Sequence, residues 1–86
     1  MRQYEKILKA LANKRRLQIV KLLKEGKEVN VGDIAEHINL SYKATSKHLG
    51  VLFSADLIEK EQRSLEAFYS LSPKLPRMAR SIISIL

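Results

Sequence analysis

Tyr42, Lys43, Ser46 and Lys47 recur at helical spacing, so a single helical face presents a phenol, a hydroxyl and two cations with no carboxylate among them. Such groups hydrogen-bond to base edges and neutralise phosphate. That is the chemistry of a helix lying in the major groove of a duplex. A solvated amphipathic helix accounts for the same pattern, and the surrounding chain has to discriminate between the two. Behind the polar front, Ala44, Thr45, His48, Leu49, Leu52 and Phe53 return at three- and four-residue steps and predict an inward face. Ser41 precedes the run and is suited to capping its first turn.

Six further elements must hold this helix in place. Arg2 to Ala12 reads as a helix with Tyr4, Ile7, Leu8 and Leu11 on one stripe. Asn13 caps a second helix that ends at Gly26, with a first turn of Lys14, Arg15 and Arg16. Cations there oppose the helix dipole by a few tenths of a kcal/mol each (about 0.3 or more). A phosphate beside Arg16 would offset that; an exposed basic turn is the other reading. Gly26 to Val29 reads as a connector, and Asn30 caps a third helix of about eight residues whose inner side is Val31, Ile34, Ala35 and Ile38. This helix, a short turn at Asn39-Leu40 and the helix from Ser41 form a helix-turn-helix pattern.

Beyond Phe53, Asp56 occupies a position suited to a left-handed residue. Leu57 to Glu61 and Glu66 to Leu71 read as two short strands. Between them Gln62, Arg63, Ser64 and Leu65 contain no glycine, asparagine or aspartate, which predicts a four-residue loop rather than a tight turn. Arg63 at its tip would enter a minor groove or touch phosphate, or else stand free in solvent. The last helix is expected from Ser72-Pro73 to Leu86, with Pro76 in its first turn. Its stripe is Leu75, Met78, Ala79, Ile82, Ile83 and Leu86. Together with Tyr4, Ile7 and Leu8 on the first helix, this stripe is expected to form a dimer interface, the alternative being closure of the monomer core. The terminal helices so assigned span about residues 2–12 and 73–86.

Residues 1–86 fit a single domain, mainly α with one small β-hairpin, in the order α-α-α-α-β-β-α. The formal net charge is +7, with a pI near 9.9. The excess lies in residues 1–27, with nine Lys and Arg against two acids, and in residues 72–86, with three against none. The middle of the chain is acidic. A basic small protein points to a polyanion partner, without locating the contact on the groove helix. There is no cysteine, which excludes disulfides, thiolate metal sites and a cysteine nucleophile. No apolar run reaches the roughly 18 residues of a membrane span, and no signal peptide is expected at the N-terminus. No glycine-rich phosphate loop or carboxylate–histidine cluster supports an enzyme.

Residue by residue, the chain resembles the ArsR/SmtB family of prokaryotic transcriptional repressors. The resemblance runs through Leu8 to Val20, Ile34 to Ile38, Ser46-Lys47-His48-Leu49-Gly50-Val51-Leu52, Ala55 to Ile58 and Phe68 to Leu71. It implies a winged helix-turn-helix. Its base- and phosphate-contacting positions fall on Tyr42, Lys43, Ser46 and Lys47. Family metal sensors carry thiolates where Asn30 and Gly32 stand here, and the last helix has no His, Asp or Glu for the other common site. No metal and no cofactor is therefore expected. His48 reads as a core-edge histidine rather than a ligand. The expected function is sequence-specific binding of double-stranded DNA by a homodimeric, cytoplasmic prokaryotic repressor at a near-palindromic operator. A winged-helix module that docks proteins without reading DNA is the alternative. The operator and any small organic inducer are not encoded legibly.

Overall fold

The computed structural model describes residues 1–86 and builds eight elements. In chain order they are α1 (Arg2–Leu11), α2 (Lys14–Leu23), β1 (Val29–Asn30), α3 (Val31–Ile38), α4 (Tyr42–Ser54), β2 (Ile58–Arg63), β3 (Glu66–Leu71) and α5 (Arg77–Ser84). This is the winged helix-turn-helix order anticipated above, with β1 added. None of the helices is long and apolar enough to cross a membrane.

Local chemistry sets the helix starts. Asn13 accepts from the Arg16 amide at 3.1 Å, Asn30 from the Asp33 amide at 2.8 Å and Ser41 from the Ala44 amide at 3.1 Å. Each such cap is worth about 1 kcal/mol. Asn39 closes α3 in the left-handed conformation, φ 56°, and Asp56 turns the chain out of α4 at φ 60°. Both residue types tolerate that region better than other L-residues.

The sheet order is β1-β3-β2, antiparallel throughout. Val29 faces Tyr69 and Asn30 faces Phe68, so the segment expected as a connector forms a third strand. Two residues are too few to show a period of two, and only the distant partner β3 reveals the pairing. The hairpin also differs from expectation. Arg63 pairs with Glu66 across a two-residue turn, Ser64-Leu65, with Ser64 at φ 54°. Side-chain contacts of Arg63, described below, carry the ladder to the very end of the hairpin and shorten the loop.

The start of α5 is corrected as well. Ser72 and Pro73 make a turn in which the Ser72 hydroxyl accepts from the Lys74 amide at 3.1 Å, and the helix begins only after Pro76. A proline disfavours helical geometry in the residue before it, so Leu75 cannot belong to a helix that includes Pro76.

Ile19, Val20, Leu23, Ile34, Leu49, Leu52 and Leu57 fill the centre of the molecule, and all are fully buried. Three residues assigned to a subunit interface belong to this core instead. Ile7, Ala79 and Ile83 are 2 %, 0 % and 3 % exposed within one chain and have no surface to offer a partner. The monomer needs them because so short a chain has few other residues to close its core. Tyr4 and Leu8 remain about half exposed, and Leu75, Met78, Ile82 and Leu86 lie half-buried at the core's edge. Phe53, expected inside, is 49 % exposed and faces the hairpin side of α4.

Thr45 is fully buried in the wall of α4, and its hydroxyl has no hydrogen-bond partner. A buried polar group left unpaired costs about 1–3 kcal/mol. Thr45→Val keeps the shape and removes the orphan hydroxyl, so it is expected to raise stability by about 1 kcal/mol in urea unfolding. A loss of stability would mean that the hydroxyl has a partner in solution.

Candidate nucleic-acid interface

The geometry of the turn between α3 and α4 decides where α4 points. Asn39 and Leu40 return their amides to Glu36 at 3.2 Å and Ala35 at 3.0 Å, which ends α3 sharply. Ser41 restarts the chain as α4. Thr45, Leu49 and Leu52 are driven into the core, and this fixes the rotation of the helix about its axis. Tyr42, Lys43, Ser46 and Lys47 are then all exposed on the outer side. None of their side chains forms a hydrogen bond or ion pair within the chain. The polar front of α4 is unspent.

The two arginines singled out from sequence are spent. Arg16 donates through Nε to the Ala10 carbonyl at 2.6 Å and through Nη2 to the Lys9 carbonyl at 3.3 Å. Its Nη1 lies 3.1 Å from His48 Nδ1. Guanidinium has no acceptor, so Nδ1 must accept, and the imidazole is neutral with its proton on Nε2. Burial, followed by the charges of Arg16 and Arg15, lowers the His48 pKa from its ordinary value of 6.5. Arg16 thus ties the C-terminal end of α1 to α4 and is withdrawn from the candidate DNA contacts. Arg15 donates to the carbonyls of Ile38 and Asn39, the latter at 3.4 Å, and so caps α3. A cation at a helix C-terminus is favourable, and this explains why basic residues in the first turn of α2 are tolerated.

Arg63 is held between Glu28 and Glu61 and lies over the Phe68 ring, 4.7 Å from its centroid. Its hydrogen bond holds the Glu61 carboxyl below the ordinary carboxylate range, and the two carboxylates raise the Arg63 pKa further. Glu66, across the ladder from Arg63, accepts from Asn30 at 3.2 Å. The hairpin end therefore carries more acid than base, and Arg63 is not a free cation for phosphate.

Sequence reasoning missed Lys60 and Gln62. Both line a groove between α4 and the hairpin with Tyr42, Ser46, Gly50 and Phe53. The signal was present, since residues 58, 60 and 62 share one face of a strand whose first member, Ile58, is buried. At the base of this groove Tyr69 is buried, and burial together with the nearby Tyr42 phenol raises its pKa.

The position of the family's thiolates does not suit a metal here. Asn30 uses its carbonyl oxygen to cap α3 and its amide nitrogen to reach Glu66, and Gly32 has no side chain. No cluster of three or more His, Asp or Glu could hold an ion elsewhere.

Residues 13–60, which contain the whole helix-turn-helix and its polar front, match the model of the bacterial regulatory protein, arsR family. The chain belongs to the ArsR family. Among its relatives, the transcriptional repressor SdpR of Bacillus subtilis is 38 % identical over 66 residues, which are 77 % of this chain and 72 % of that protein. The solved structure of HlyU from Vibrio cholerae superposes with a TM-score of 0.84 at 32 % identity, covering 96 % of this chain and 86 % of HlyU. A homodimeric winged helix-turn-helix DNA-binding domain from Mycobacterium bovis gives a TM-score of 0.82 at 29 % identity, covering 96 % of this chain and 73 % of that one. This ArsR-family chain is thus a DNA-binding regulator of transcription, not an enzyme by family or fold.

Proposed function

We propose that this ArsR-family regulator acts as a homodimeric repressor in the bacterial cytoplasm and that it does not respond to metal. Each subunit sets α4 into a major groove of one half of a near-palindromic operator. The observation that carries this reading is the unspent front of α4, four exposed hydrogen-bonding or cationic side chains on a rigidly backed helix. Lys43 and Lys47 contact phosphate or guanine acceptors, and Tyr42 and Ser46 contact base edges or a thymine methyl. Exposed Tyr4 and Leu8, with Leu75, Met78, Ile82 and Leu86, supply the apolar contact between subunits. Two-fold symmetry then spaces the half-sites about 34–36 Å apart. Repression rather than activation is supported by SdpR, named a repressor, although a similar HlyU is named an activator.

Selection of bound duplexes from a random pool is expected to return a symmetric site. Lys47→Ala should weaken binding to it and lower the slope of log affinity against log salt by about two units, one for each subunit of the dimer. An unchanged slope would remove Lys47 from phosphate. The second reading, a protein-docking module, draws on the acidic hairpin end formed by Glu28, Glu61 and Glu66. Selection that returns no sequence, together with absent or salt-insensitive DNA binding, would favour it.

A further inference from the structure

We propose that α1 carries a second, sequence-independent DNA contact, a basic cleft that seats the sugar-phosphate strand on the side of α4 away from the hairpin. This rests on the reading of α4 as the groove helix. A helix about 10–12 Å across fills a major groove about 12 Å wide, so a phosphate strand runs along each of its sides. On one side lies the groove toward the hairpin, whose end is acidic. On the other lies a cleft of about 620 Å³ lined by Lys6, Lys9, Arg16, Lys47, Gly50 and Ser54, among others.

Three observations point to a phosphate strand as its occupant. No carboxylate lines the cleft. Lys6, Lys9 and Lys47 form no ion pair within the chain, so three cations from two helices converge uncompensated. Gly50 borders both this cleft and the groove toward the hairpin, and a Cβ built on it would meet nothing within 4 Å. Glycine within a helix costs stability relative to alanine, and no internal packing requires it here. Its absent side chain leaves the α4 backbone open to close approach from outside. Arg16 is already committed to the Lys9 and Ala10 carbonyls and to His48, and its hydrogen bonds hold α1 and α4 at the spacing that forms the cleft. The linear sequence separates Lys6 from Lys47 by most of the helix-turn-helix, and only the packing of α1 beside α4 brings them to one surface.

The test uses the whole chain, the selected operator duplex and a random duplex of equal length. Lys6→Ala is expected to lower the salt slope by about two units, one for each subunit of the bound dimer, and Lys6→Ala/Lys9→Ala by about four. Both should weaken specific and random binding by the same factor and leave the selected sequence unchanged. Neutral methylphosphonates flanking the half-site should reproduce the loss with the wild-type chain and add little to the double variant. Sedimentation should show the dimer unaltered. Slopes unchanged in both variants, with the wild-type chain still bound to its operator, would overturn the cleft and leave the groove helix standing. A wild-type chain that binds no duplex would remove both readings. A weakened dimer with an unaltered slope would overturn the cleft and assign the lysines to the subunit contact.

Discussion

Replacing Leu49 with alanine is expected to destabilise the chain by about 2–5 kcal/mol. Leu49 is fully buried, on the face of α4 opposite Lys47. The loss combines the transfer free energy of the deleted atoms with the cavity they leave. A domain of this size has a total stability of only about 5–10 kcal/mol, so the change removes a large share of it. At about 4–8 °C per kcal/mol, the melting temperature should fall by on the order of 10 °C or more. Comparisons belong at one protein concentration, since association contributes to the apparent value. DNA binding at low temperature should fall only as far as the folded population falls, because the outer face is chemically unaltered. A loss under about 1 kcal/mol in urea unfolding would show that α4 does not depend on this residue for its seat.

Arg16→Ala is expected to cost about 2–3 kcal/mol, since it deletes charged hydrogen bonds to two carbonyls at the end of α1 and the donor to His48. Arg16→Lys should recover little of that, because an ammonium cannot span three acceptors fixed by a planar fork. Burial of the His48 ring, and after it the Arg16 charge, makes stability depend on pH. The His48 pKa is lowered in the folded chain, so the unfolded chain binds the proton more readily. The contribution is therefore complete above the unfolded value near 6.5, declines as pH falls below it, and is exhausted below the folded value. Protonation also sets an N–H of His48 against the Arg16 donor. Urea unfolding between pH 7.5 and about 5 should show this decline in the wild-type chain, and a shallower one in Arg16→Ala, where one of the positive charges facing His48 is gone. Equal slopes in the two chains would separate His48 from Arg16.

These two residues mark what can and cannot be read along the chain. Leu49 was assigned inward from its spacing with Thr45 and Leu52, and it is inward. For Arg16, a cation opposed to the helix dipole, the sequence offers a phosphate or an exposed basic turn. Its partners are the Lys9 and Ala10 carbonyls and an imidazole 32 residues away. Arg63 is the same case, with Glu28 lying 35 residues before it. Ile7, Ala79 and Ile83 illustrate the limit for apolar stripes. Periodicity shows that a face is buried, but does not show whether its own chain or a second copy buries it.

Local patterning was enough for the helices other than the start of α5, for their three side-chain caps, for the left-handed residue at Asp56 and for the polar front of α4. Each of these depends on neighbours within about four residues, through helical periodicity or a single side-chain-to-amide bond. Packing was needed to set the third strand, the tight hairpin turn, the partners of Arg15, Arg16 and Arg63, and the convergence of Lys6 and Lys9 with Lys47. A long cationic side chain reaches far enough to choose among carbonyls, carboxylates and solvent, and that choice depends on groups brought close by packing rather than by order along the chain.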